Sequence, residues 1–115
     1  MSAEALVHDL LRAAPELKPI LDEHLAANDT LLPHVFMADV ARFAVAEIAD
    51  VRKRSTILKL LDYLEKGLST GDEETRELIL ASFVENLMSE TTALLLLKPL
   101  MGPNLRKAVR AICGQ

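Results

Sequence analysis

The sequence predicts an all-α fold, a single compact bundle of about seven short helices that forms one domain over residues 1–115. Apolar residues recur at intervals of three and four along most of the chain, which is the spacing of one face of an α-helix. No segment alternates apolar and polar residues as a half-buried strand does, and no Asn-Gly pair marks a hairpin. Half of the residues are hydrophobic but only 3% are aromatic, which favours a core of closely packed aliphatic helices.

Length, cysteine content and hydropathy limit the class of protein. A chain of 115 residues buries roughly two-thirds of its unfolded surface and needs no metal or disulfide to fold. Cys113 is the only cysteine, which excludes an intrachain disulfide and favours a reducing compartment. Residues 1–18 carry Glu4 and Asp9 within their apolar part and therefore lack the features of a secretory signal. The longest uncharged apolar run, residues 91–97, is far shorter than the about 20 residues of a membrane span, so we expect a soluble, cytoplasmic protein with no membrane partner.

The charge distribution points towards a protein partner. A net charge of −4 argues against general nucleic-acid binding, because phosphate contacts need clustered Lys and Arg. The middle of the chain is acidic, whereas every charged residue after Glu90 is basic. Such a dipolar surface either steers a partner or is satisfied within the molecule.

The first two helices are predicted on both sides of a proline. The first begins at Ser2 and ends before Pro15, and the second begins at Pro15 or Pro19 and runs to about Ala27. Residues 28–33 then form a connector, in which Asn-Asp ends the helix. The side chains expected to face the core are Leu6, Val7, Leu10 and Leu11 in the first helix and Leu17, Ile20, Leu21 and Leu25 in the second.

The third helix is predicted from Pro33 to about Val51, and the fourth from just after Ser55 to Gly67, where a glycine is a common helix end. The third helix contains two of the three phenylalanines, so we expect it to form the aromatic centre of the core against Phe83. The expected inward residues are Phe36, Met37, Val40, Phe43, Ala44, Ile48 and Val51, followed by Ile57, Leu58, Leu61, Leu64 and Leu68.

Residues 67–88 are the most informative stretch. Thr70 lies three residues before Glu73, which is the spacing of a capping box, and Asp72 is a competing cap. The following helix has a clear apolar face, formed by Ile79, Leu80, Phe83 and Leu87. Short connectors favour antiparallel helix pairs, and the pair formed by residues 55–68 and 72–88 is HEAT-like, although no repeat of consistent period is visible.

The last two helices are separated by Gly102 and Pro103, a helix stop followed by a first-turn proline. Four consecutive leucines, Leu94–Leu97, cover all sides of a helix, so this element is either central or part of a partner surface, and we favour burial. Leu105, Val109 and Ile112 mark the inner side of the last helix.

No motif for catalysis, cofactor binding or metal binding is present. His8, His24 and His34 do not occur in the HExxH or Glu-x-x-His spacings of metal sites, and we read His24 as a partly solvated neighbour of Glu23. Ser82 has no histidine near it in sequence and lies within a helix, a poor place for a nucleophile. We therefore predict that the protein is not an enzyme and holds no cofactor or metal, with an unrecognised site in a pocket as the remaining alternative.

Three stretches, LLPHVFMADVARF at residues 31–43, GDEETRELILASFVENL at 71–87 and LMGPNLRKAV at 100–109, resemble a largely uncharacterised family of small all-helical bacterial proteins. Some members of that family are encoded beside polymorphic or contact-delivered toxins as immunity proteins. The resemblance implies a stoichiometric inhibitor that binds a cognate toxin domain, and it implies no catalytic residues.

Acidic residues are the predicted partner contacts. An acidic helix end suits a basic target, although the same acids also stabilise the positive end of their own helix dipole. The first candidates are Asp72, Glu73, Glu74 and Glu77, and the second are Asp62 and Glu65. The competing hypothesis is a scaffold or regulatory adaptor that forms a homodimer or holds a helper protein through Leu94–Leu97, Leu100 and Met101.

Overall fold

The computed structural model describes residues 3–113, which form seven helices and no strand, so the all-α prediction is confirmed. The helices are α1 (Ala3–Ala13), α2 (Lys18–Asn28), α3 (Pro33–Glu47), α4 (Arg54–Thr70), α5 (residues 73–87), α6 (Thr91–Leu97) and α7 (Pro103–Cys113). Single 3₁₀ turns at Pro15–Leu17, Val51–Lys53 and Lys98–Leu100 adjoin α2, α4 and α6. None of the described helices is long and apolar enough to cross a membrane.

Helix α5 changes its winding in the middle. It begins as an α-helix at Glu73–Leu78, continues as a π-helix at Ile79–Val84 and returns to α-helix at Glu85–Leu87. A π-helical turn is bonded from residue i to i+5 and therefore contains more residues than an α-helical turn. The π segment is packed: Ile79, Phe83 and Val84 are fully buried.

The N-terminus of α5 is capped by Asp72 and not by Thr70. The carboxylate of Asp72 accepts a hydrogen bond from the amide of Thr75 at 2.8 Å, whereas the hydroxyl of Thr70 donates to the carbonyl of Lys66 inside α4. The Thr75 amide also lowers the pKa of the Asp72 carboxyl, because it stabilises the charged form. The stabilising effect of this cap is therefore present above the unfolded-state pKa and is lost as the pH falls through the lowered folded-state pKa.

Two helix ends differ from the sequence prediction. Helix α3 ends at Glu47, four residues early, and Val51 is 77% exposed in the following 3₁₀ turn. Helix α4 continues through Gly67 to Thr70. Gly67 is buried, and a Cβ atom there would lie 2.8 Å from Cδ1 of Ile79. This glycine therefore permits α4 and α5 to approach each other and does not end a helix.

The buried side chains form one apolar cluster to which six of the seven helices contribute, and α2 packs the half-buried Ile20 and Leu21 against it. Phe36 and Phe83 are fully buried at its centre, as predicted, and Phe43 is half-buried beside them. Helix α5 packs along α3, α2 also packs on α3, and α4 contacts both α1 and α7. Helix α4 thus places α7 next to the rest of the bundle, although the two helices are far apart in sequence.

Several residues predicted to be buried lie at the surface. Within α6 the prediction is half right, because Leu94 and Leu97 are buried while Leu95 and Leu96 are 62% and 48% exposed. A helix that packs on one side cannot bury four consecutive residues. The same reason applies to the other wide apolar stripes, whose exposed members are Leu25, Leu58 and Ile112.

Candidate protein-binding groove

An open groove of about 420 Å³ lies between α5 and α7. Its volume is within the range of about 300 to 1,000 Å³ that is typical of ligand sites. Its apolar lining consists of Leu68, Leu80, Ala81, Ala108, Ala111 and Ile112. Its polar lining consists of Arg76, Glu77, Glu85, Asn104 and Lys107. The site therefore combines an apolar base with a charged rim.

Small residues keep the groove open. Ala81 on α5 and Ala108 and Ala111 on α7 lie where the two helices face each other. An alanine contributes only a methyl group, so the space that leucine side chains fill elsewhere in this bundle stays empty here. The two helices are nevertheless held together beneath the groove, because Leu80 and Ala108 also pack against the core.

Two carboxylates of α5, Glu77 and Glu85, line the groove on either side of the π segment. Glu77 and Glu85 are eight positions apart, and at about 100° per residue a regular α-helix would turn their side chains about 80° away from each other. Both side chains line the same groove, whose lining on α5 also includes adjacent residues about 100° apart, such as Arg76 and Glu77. The groove is therefore wide enough to include both carboxylates.

The charged side chains of the rim have no partner within the part of the chain that the structure describes. Arg76, Glu77, Glu85 and Lys107 are exposed, and none of their side chains forms a hydrogen bond or ion pair with residues 3–113. Exposed ion pairs do form elsewhere, for example between Lys59 and Glu16 at 2.8 Å. The rim charges are thus available to an external partner.

Three of the six acids predicted as partner contacts cap helices. Asp72 caps α5, as described above. Glu74 accepts a hydrogen bond from the amide of Ala3 in the first turn of α1 at 2.9 Å. Both carboxylate oxygens of Glu65 accept hydrogen bonds at 2.9 Å from the amides of Asn104 and Leu105 in the first turn of α7. Each acid satisfies amides that a helix N-terminus leaves unpaired.

The other three acids differ in their surroundings. Asp62 forms an exposed ion pair with Lys66 one turn later, at 3.4 Å. Glu73 and Glu77 are exposed, and within the described residues their side chains have no hydrogen bond or ion pair. Glu77 is the only one of the six that lines the groove, where it is joined by Glu85, which is not among the predicted contacts. A partner contact by Glu73 or Glu77 stays a prediction.

Replacing Glu65 by alanine tests its capping role. We expect the free energy of unfolding to fall by about 1 to 2 kcal/mol, because two amides of α7 lose a charged acceptor. Chemical denaturation measures this loss. Asp62→Ala is the matched control, since it removes an exposed carboxylate from the same helix and should change stability by less than about 0.5 kcal/mol. Equal effects of the two substitutions would contradict the capping role.

Two histidines contact residues that are not their neighbours in sequence. His24 is buried and not partly solvated beside Glu23: its Nε2 accepts a hydrogen bond from the amide of Leu32 at 3.0 Å. The Nδ1 atom of His34, an exposed residue, lies 2.5 Å from the hydroxyl oxygen of Ser82 in the π segment. Ser82 itself is 6% exposed and lies outside the groove lining, so this pair does not form an accessible catalytic site there.

Asn86 follows the π segment and bonds to it. Its side-chain amide donates to the carbonyl of Ser82 at 2.7 Å. This hydrogen bond lies within α5 and does not join two helices. This contact satisfies a carbonyl at the point where the helix changes its winding.

Comparison with known proteins identifies a family but no function. Neither a curated protein nor a solved structure shows significant similarity to this chain. One family model, described as a domain of unknown function (DUF7674), matches residues 7–114 and so includes all residues of the groove. Because this match covers nearly the whole sequence, the chain belongs to the DUF7674 family.

Proposed function

We propose that this protein is a non-catalytic protein-binding module, and specifically an immunity protein that binds and neutralises a basic toxin domain in the cytoplasm. The observation that supports this function is that two unpaired carboxylates, Glu77 and Glu85, line an open apolar groove, whose rim also carries the cations Arg76 and Lys107. Glu73 extends the same acidic surface by one turn towards the start of α5. The groove replaces the broader acidic cluster as the proposed binding site, because capping occupies three of its acids.

The two parts of the site contribute to binding in different ways. Exposed carboxylates attract a basic partner, accelerate its encounter and disfavour acidic competitors. The apolar base of the groove contributes affinity, since burying apolar surface gives roughly 25 cal/mol per Å² before the cost of association. A partner held in this way is inhibited when the protein covers its active surface.

Charge reversal at the acidic surface tests this function. We expect Glu73→Lys with Glu77→Lys to weaken binding to an inactivated toxin encoded beside this protein by about 10 to 100-fold, because two attractions become repulsions. Isothermal titration calorimetry measures the affinity, and a cell-survival assay with active toxin measures protection. The matched control is Glu23→Lys with Glu90→Lys, which changes the net charge equally at exposed positions elsewhere.

The two outcomes of this experiment are distinct. If Glu73→Lys with Glu77→Lys weakens binding and the control pair does not, the acidic surface is supported as the interface. Unchanged affinity and protection for both pairs would reject it.

One observation favours a second candidate function, self-association as a scaffold. Leu95 and Leu96 project from α6 and are both largely exposed. If a second copy covers them, analytical ultracentrifugation will show a dimer that dissociates on Leu95→Ser with Leu96→Ser. A monomer for the unchanged protein at high micromolar concentration would exclude this alternative.

A further inference from the structure

We infer that the groove between α5 and α7 receives an amphipathic helix of the partner, with two cationic side chains about two turns apart facing Glu77 and Glu85. This inference rests on the proposed protein-binding function and identifies the chemistry of the segment that would bind. The observations that support it are the length of the groove, the nature of its walls and the arrangement of its four unpaired charges.

The groove has the length of a short helix. The lining residues extend from Arg76 to Glu85 on α5 and from Asn104 to Ile112 on α7. At about 1.5 Å per residue each wall is roughly 10 to 12 Å long, which corresponds to about two turns of a bound helix. Two cations that face both carboxylates would accordingly be about seven residues apart in that helix.

The walls favour a helix over an extended strand. A peptide that binds as a strand needs an exposed sheet edge, because its affinity comes from main-chain hydrogen bonds. Both walls here are helices, whose main-chain groups are already bonded within each helix. The main-chain groups of a bound helix are likewise bonded within that helix. It would therefore contact the groove through side chains alone, and side chains are what line this groove.

The base of the groove suits an apolar stripe. Ala81, Ala108 and Ala111 leave room for larger side chains to enter between α5 and α7. In a bound helix, apolar residues three and four positions apart would present such side chains along one face. Leucine or isoleucine at these positions would fill the space that the alanines leave empty.

The charges define the orientation of the bound helix. The wall formed by α5 carries both carboxylates and, near its N-terminal end, the cation Arg76, while Lys107 provides a cation on the α7 wall. A helix with basic residues on one edge of its apolar stripe and an acidic residue on the other edge matches both walls. In the reversed orientation, the basic edge of this helix would face Lys107 and its acidic edge would face the two carboxylates. Like charges would then lie opposite each other, which disfavours that orientation.

A helical peptide library displayed on phage tests this inference. The library has a fixed amphipathic frame and randomised positions on both edges of the apolar stripe, and it is selected on the full-length protein. We expect selected peptides to carry Lys or Arg pairs about seven residues apart. We also expect Ala111→Trp, which fills the groove from an exposed position, to weaken their binding by at least about tenfold, equivalent to about 1.4 kcal/mol.

Two further variants make the result specific. Ala46→Trp introduces the same side chain at an exposed position of α3 and should leave peptide affinity unchanged. Glu77→Gln with Glu85→Gln removes both charges at exposed sites and should abolish the preference for the cation pair without loss of the fold. Circular dichroism verifies that each variant remains helical.

The outcomes separate this inference from the proposed function. Selected peptides that bind Ala111→Trp as tightly as the unchanged protein, or a selection that yields no binding peptide, would overturn the helix-in-groove inference. The proposed function would survive that result if a full-length basic partner still depended on Glu73 and Glu77. If binding of the full-length basic partner did not depend on Glu73 and Glu77 while peptides still bound in the groove, the toxin-binding function would be rejected. The helix-in-groove inference would then remain.

Discussion

Replacing Phe83 by alanine is expected to lower the free energy of unfolding by about 3 to 5 kcal/mol. Phe83 is fully buried in the π segment, where α5 packs along α3. The substitution removes the apolar contacts of the ring and leaves a cavity that neighbouring side chains fill only in part. Since domains are stable by only about 5 to 15 kcal/mol, this single change would remove a large fraction of the total.

Urea denaturation followed by circular dichroism measures this effect. Phe83→Leu is the matched control, because it keeps most of the buried volume and should cost less than about 2 kcal/mol. A loss below about 1 kcal/mol for Phe83→Ala would show that α5 does not depend on this contact with α3. In that case the wall of the groove formed by α5 would not be held as the structure shows.

Replacing His24 by alanine is expected to cost about 2 to 3 kcal/mol, because the imidazole joins three elements. Its Nε2 accepts from the amide of Leu32 in the connector before α3, and its ring meets that of Phe36 edge-on at 5.9 Å between centroids. Its Nδ1 lies 3.8 Å from a carboxylate oxygen of Asp39 and 3.3 Å from the side-chain amide nitrogen of Asn28. Alanine would leave the Leu32 amide without its acceptor and would open a cavity beside Phe36.

Thermal and chemical denaturation of His24→Ala measure this loss, and His8→Ala is the control. The side chain of His8 is 57% exposed and only approaches Glu4 at 4.0 Å, so its removal should change stability by less than about 0.5 kcal/mol. If both substitutions had the same small effect, the buried histidine would have no structural role.

The sequence predicted the helices where local chemistry defines them. Pro15, the Asn28 and Asp29 pair, and the Gly102 and Pro103 pair each mark a helix boundary that the structure contains. Asp29 adopts the left-handed conformation, with φ of 65°, that is common at helix ends. Such signals act within a few residues, so they are visible without knowledge of the fold.

Prediction failed where the role of a residue depends on a distant neighbour. Gly67 is expected to end a helix, but it lies within α4, where its missing side chain leaves room for Ile79 from α5. Glu65 was expected at an outer surface, but it caps α7, which begins about 40 positions later. His24 was interpreted from its neighbour Glu23, whereas its contacts come from Leu32 and Phe36. In each case the sequence shows the residue type but not its spatial neighbour.

The sequence by itself determined the helical class, most helix boundaries and the centre of the core around Phe36 and Phe83, because apolar periodicity and turn chemistry are local properties. Only the tertiary structure decided which acids remain unpaired and where a groove exists. These features arise because α4 brings α7 close to α5 and because several of the acids cap distant helices. The pairing of the acids and the existence of the groove both depend on how the helices pack against each other. Neither can therefore be predicted from a local pattern along the chain.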